Sequence, residues 1–140
     1  MHAMGERKHR ARCGWTLLLA LATGCASVDL HYPDGHSASM SKAEFKAYVE
    51  RVFRYQNHIG DELIRADELL DDGQILPDAR LPRAEEALQQ ACRPLIALVN
   101  AKVEHHAMKL ADKLEMPRAA PACERAAQAV NALLSALPQR

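Results

Sequence analysis

The chain has 140 residues, in which 18 Lys and Arg balance 18 Asp and Glu and aromatic residues make up only 4%. That length suits one domain, and the absence of a basic excess removes the electrostatic footprint that a nucleic-acid partner would need. Beyond residue 25 the only glycines are Gly35, Gly60 and Gly73, too scattered to build a phosphate-cradling loop.

The first 24 residues fall into three zones. Residues 1–14 hold Arg7, Lys8, Arg10 and Arg12 against a single acid, Glu6, and Trp15 to Ala22 form an uncharged run rich in leucine. The small residues Thr23 and Gly24 then precede Cys25. A basic start, an apolar middle and a small-residue cleavage site define a secretory signal peptide. The apolar run falls short of the roughly 20 residues needed to cross a bilayer.

The segment Ala22-Thr23-Gly24-Cys25 resembles the lipobox of bacterial lipoproteins. The resemblance covers residues 1–25 only. It implies a signal peptide over residues 1–24 and a covalent lipid on the Cys25 thiol, with no other cofactor. Lipid attachment anchors a chain to a membrane without spanning it, and more than one acyl chain makes that anchoring stable. In Gram-negative lipoproteins an aspartate after the cysteine usually retains the protein in the inner membrane. Ala26 stands there instead, which implies the outer membrane, facing the periplasm.

Residues 1–24 carry four of the 18 basic residues and one of the 18 acidic ones, so residues 25–140 hold 14 basic against 17 acidic residues. This balance speaks against nucleic acid and against a polybasic patch on anionic lipid. Residues 25–40 read as the lipidated cysteine and a flexible tether containing Pro33 and Gly35, with a reach of at most about 50 Å. A short strand over Val28–Tyr32 has no evident partner. Residues 41–140 then form a helical domain.

Ser41-Lys42-Ala43-Glu44 is a capping box that opens a first helix, with Met40 and Phe45 placed as a hydrophobic staple. Phe45, Val49, Val52, Gln56, Ile59, Leu63, Ala66 and Leu70 recur at alternating spacings of four and three, a heptad seam broken once by polar Gln56. Gly73 closes this helix after about 30 residues, or about 45 Å. Pro82 opens a second helix whose apolar stripe runs Leu88, Cys92, Leu95, Val99, Val103, His106, Leu110 and Leu114, with Pro94 expected to kink or break it. Met116-Pro117 marks a further break, and Pro121 opens a third helix with the stripe Cys123, Ala127, Val130, Leu134 and Leu137. The expected fold is therefore all-α: a small bundle of three amphipathic helices, or four if Pro94 breaks the second. A third helix confined to Ala122–Leu137 spans only about 24 Å. It cannot cover the first seam, so part of that seam is expected against the second helix or a second copy, with at least weak homodimerisation.

Two cysteines remain once Cys13 leaves with the signal and Cys25 takes the lipid. Cys92 and Cys123 both lie on apolar stripes, and an oxidising compartment favours their pairing. Length opposes it, because an unbroken second helix carries the chain about 35 Å past Cys92 and the return segment reaches only about 29 Å. Pairing requires a sharp turn at Pro94, a helix that stops well before Glu115, or a cysteine from another molecule.

Few residues carry chemistry. Glu104, His105, His106 and Met108 form the one candidate metal cluster, a ligand set that suits copper(I), although adjacent helical histidines point about 100° apart. Tyr48, Arg51, Arg54 and Tyr55 have the aromatic and arginine composition of protein-binding hot spots, or line the edge of the core stripe. The carboxylate pairs Asp67-Glu68 and Asp71-Asp72 have no histidine nearby. The function expected is that of a non-catalytic outer-membrane lipoprotein whose periplasmic domain is a scaffold or binds an envelope protein. The alternative is a metal or small-ligand carrier using His105, His106 and Met108.

Overall fold

The computed structural model describes residues 26–138, so the signal segment and Cys25, the expected lipid site, lie outside the described residues. Tyr32-Pro33-Asp34-Gly35-His36 sets a tight turn, because proline fixes one backbone angle and glycine accepts a positive one. Gly35 takes φ of 90°. The Gly35 N–H donates to the Tyr32 carbonyl and the Tyr32 N–H to the His36 carbonyl, each at 3.0 Å. The turn joins two antiparallel strands, β1 (Ser27–His31) and β2 (Ser37–Ser41), with Ser27 opposite Ser41 and Leu30 opposite Ala38.

This hairpin overturns the flexible tether. Leu30 is fully buried, and Tyr32 and Met40 pack against the same core. The Arg125 guanidinium meets the Asp34 carboxylate at 3.0 Å and pins the turn to the last helix. Desolvation raises Asp34, but the hydrogen bonds from His36 and Arg125 outweigh it and hold the carboxyl below its ordinary value. The second strand, Ser-Ala-Ser-Met-Ser, has none of the branched or aromatic residues that mark strands, which is why it escapes a pattern reading.

Helix α1 (Lys42–Asp71) starts on the expected capping box. The Glu44 N–H donates to Ser41 Oγ at 3.3 Å and the Ser41 N–H to Glu44 Oε2 at 2.8 Å. Its seam is buried at Val49, Val52, Ile59, Leu63 and Ala66. At its end Gly73 adopts φ of 68°, with the Gln74 N–H on the Leu69 carbonyl at 2.9 Å and the Gly73 N–H on the Leu70 carbonyl at 3.0 Å. These two bonds satisfy carbonyls that the helix terminus would leave open.

Helix α2 (Leu81–Val103) runs unbroken through Pro94, so no fourth helix forms. Before it, Asp78 accepts from the Arg80 guanidinium at 2.6 Å, and that bond holds its carboxyl at about 2. The helix stops at Val103, earlier than the apolar stripe predicts. His105 takes a left-handed φ of 55°, the His106 N–H reaches the Ala101 carbonyl at 2.9 Å, and the His105 N–H reaches the Lys102 carbonyl at 3.4 Å. This is the closure seen at Gly73, made with histidine in the glycine position.

Helix α3 (Leu110–Ser135) also departs from expectation, since it begins before Pro121 and continues through both Pro117 and Pro121. An interior proline costs roughly 3 kcal/mol in an isolated helix. Here Met116, Ala120 and Pro121 are buried, and that packing offsets the lost hydrogen bonds. The helix is therefore about 39 Å long rather than about 24 Å, which removes the length argument for covering α1 with a second copy.

The three helices and the hairpin share one core, and α3 is its centre. It packs against both α2 and α1, whereas α1 and α2 barely meet. Contacts between α1 and α3 advance in the same sense along both helices, from Tyr48 with Glu124 to Ala66 and Leu69 beside Leu134. Among the described residues no helix is long and apolar enough to cross a membrane.

Cys92 and Cys123 are bonded within the chain, with Cα atoms 4.6 Å apart. The early stop of α2 resolves the conflict of lengths. From Cys92 to Val103 the chain advances about 16 Å, and from Leu110 to Cys123 it returns about 20 Å. The cysteines thus lie level on adjacent helices, both fully buried. Replacing both with alanine is expected to lower the unfolding free energy by about 3–4 kcal/mol, from the chain entropy released over a separation of 31 residues. Urea titration followed by circular dichroism measures this, and a loss below about 1 kcal/mol contradicts it.

Candidate functional site

Tyr48 does not present itself to a partner. Its ring is 4% exposed, its hydroxyl donates to Glu124 Oε2 at 2.6 Å, and the Arg51 guanidinium lies 5.1 Å from the ring centre. Burial first, then the hydrogen bond to Glu124 and its negative charge, push the phenol far above its usual range. The residue is a strut between α1 and α3. Tyr55 is half-buried against the core, and Arg51 and Arg54 face solvent. The four residues read as a hot spot therefore do not form one open surface.

Of the candidate metal ligands, His105 and His106 fall in the turn that closes α2, not on a regular helix, and His106 and Met108 line one small pocket there. His106 Nδ1 pairs with Glu104 at 3.3 Å on the exposed surface instead of occupying a buried stripe. Met108 is half-buried against the core. Among the described residues no three His, Cys, Asp or Glu side chains come together in a way that could hold a metal ion.

What the fold does assemble is a groove of about 490 Å³ along the line where α1 and α2 diverge. Because α2 is fastened to α3, its outer face does not close on α1. Leu63 from α1 and Leu88 and Cys92 from α2 form the apolar lining, all buried. Ile64 and Ile96 flank it and remain 62% and 37% exposed. Gln56 to Asp67 covers about 16 Å along α1, or three helical turns. The two helices run in opposite directions, so Asp67 and Glu85 lie together at one end of the groove, with Gln56 and Arg93 towards the other.

Gln56 is the anomaly in this lining. Its Oε1 is buried and has no hydrogen-bond partner, the one such side-chain atom among the described residues. An orphaned buried acceptor costs about 1–3 kcal/mol, and a native protein keeps such a group for a reason other than stability. The same residue breaks the heptad seam in the sequence, so this part of the groove was visible as an irregularity. The displacement of α2 onto α3 was not.

No family model, no curated protein and no solved structure matches the chain. The groove is thus interpreted on its own chemistry: an apolar trough with one unsatisfied amide and charges of opposite sign at its ends. Gln56→Leu is expected to raise the unfolding free energy by about 1 kcal/mol or more, since it removes an unpaired buried acceptor. Thermal and urea unfolding check this, and an unchanged or lowered stability contradicts it.

Proposed function

We propose that the chain is a non-catalytic outer-membrane lipoprotein, anchored through a lipid on Cys25, whose periplasmic helical domain binds an envelope protein in the groove between α1 and α2. The observation that carries the reading is the groove itself: a three-turn apolar trough with exposed Ile64 and Ile96 at its sides and Gln56 Oε1 unpaired in its wall. Its dimensions fit an amphipathic helix from the partner, which would present apolar residues at i, i+3 or i+4, and i+7. The end charges specify direction, because Asp67 and Glu85 complement a basic residue on the partner and Arg93 complements an acidic one.

Both halves of the reading are tested in cells that carry the full-length chain. Cys25→Ser is expected to abolish incorporation of labelled fatty acid and to leave an unprocessed precursor; normal labelling contradicts the anchor. A photo-crosslinking residue at Ile64 or Ile96 is expected to give a discrete adduct that is absent when it is placed at exposed Gln128 on α3. Asp67→Lys with Glu85→Lys should weaken that adduct. Indifference to the charge reversal, or an adduct made of two copies of this chain, contradicts a helix of another protein as the occupant.

A further inference from the structure

Val103, Leu110 and Leu114 are 72%, 72% and 71% exposed, the most exposed large aliphatic side chains among the described residues. Val103 ends α2, and Leu110 and Leu114 lie in the first turns of α3, so all three flank the α2–α3 connection, where the expected buried stripe runs out into solvent. Lys102, Lys109 and Lys113 stand among them, and Glu104, Asp112 and Glu115 offset those charges. The patch is therefore apolar with no net charge, and electrostatic attraction is not what recommends it. Large exposed apolar patches rimmed by polar residues mark protein or membrane contacts, whereas single exposed residues do not, and here three flank one connection.

The position of the patch says what the contact is. Helices α1 and α3 run in the same sense, with Tyr48 level with Glu124. Seven residues back along α1 lies Ser41, paired with Ser27 at the start of β1. Ten residues back along α3 lies Leu114, about 15 Å from Glu124. The hairpin start and the α2–α3 turn thus occupy the same end of the molecule. Cys25 precedes Ser27 by two residues, a reach of about 7 Å. A lipid on Cys25 therefore holds this end, and not the opposite one, against the bilayer.

We propose that the α2–α3 turn rests on the membrane surface, with Val103, Leu110 and Leu114 entering the interfacial layer beside the lipid on Cys25. The lysine stems lie along the same apolar contact and carry their ammonium groups to the headgroups. The turn is a second attachment that adds to the acyl chains, and it orients the domain with the groove directed away from the lipid. This inference rests on the lipid-anchor reading.

The test uses tryptophan fluorescence, since the chain's single Trp is Trp15 in the signal segment. In a Trp15→Phe background, Leu114→Trp and Ile64→Trp are each introduced into the full-length protein. The purified proteins are mixed with vesicles of phosphatidylethanolamine and phosphatidylglycerol with brominated acyl chains. The expected result is a shift to shorter wavelength and loss of most emission at position 114, with emission at position 64 retained, and little change on adding salt. The mass of the Cys25 peptide reports lipidation separately. A lipidated protein that floats with the vesicles but keeps its emission at position 114 overturns the inference and leaves the anchor standing. An unlipidated protein quenched at position 114 supports the inference and overturns the anchor. Equal quenching at positions 64 and 114, or no association with vesicles, overturns the inference.

Discussion

The covalent tie between Cys92 and Cys123 is the constraint on which the rest of the arrangement depends. It fixes α2 to α3 through two fully buried cysteines, small side chains that let the backbones approach closely. Alanine on the neighbouring turns of α3 continues the close packing, with Ala120 and Ala127 fully buried. Helix α2 packs chiefly on α3, and α1 packs on α3 beside it while meeting α2 only sparingly. The groove between α1 and α2 is the geometric consequence. A chain this small buries a limited core, so a covalent cross-link takes over part of what extra packing would do in a larger domain.

The polar groups are organised around the same centre. Among the described residues no polar or charged residue as a whole is buried. The hairpin is held to α3 by the Asp34–Arg125 pair and α1 by the Tyr48–Glu124 hydrogen bond. Exposed ion pairs such as the former contribute little to stability, so the burial of Leu30 and Tyr48 does most of the fastening. The one exception to full satisfaction, Gln56, lies in the wall of the groove. The orphaned acceptor and the open apolar trough thus fall on the same stretch of α1.

Much of the helical content was legible because it rests on local chemistry. The capping box at Ser41, the heptad seam of α1 and the glycine at residue 73 each act within a few residues, and each appears as expected. Prolines misled, because their cost is local while the burial that offsets it is not: Pro94, Pro117 and Pro121 all lie inside helices once neighbouring helices supply the packing. The end of α2 was hidden for the opposite reason, since histidine at residue 105 takes a backbone conformation usually left to glycine. The hairpin was lost because its second strand is built from serine and alanine and relies on its turn and on Leu30. Of the candidate site, only Gln56 was visible, as a departure from pattern. Its meaning, and the exposure of Ile64, required knowing that α2 leans away.

The proposed occupancy of the groove by a partner helix in the native envelope is tested most directly by amide hydrogen exchange on the full-length protein in isolated outer membranes and in detergent. The expected result is added protection over residues 56–67 and 85–96 in the membranes, with α3 beyond Cys123 unchanged. Equal exchange of those two segments in both states would contradict it.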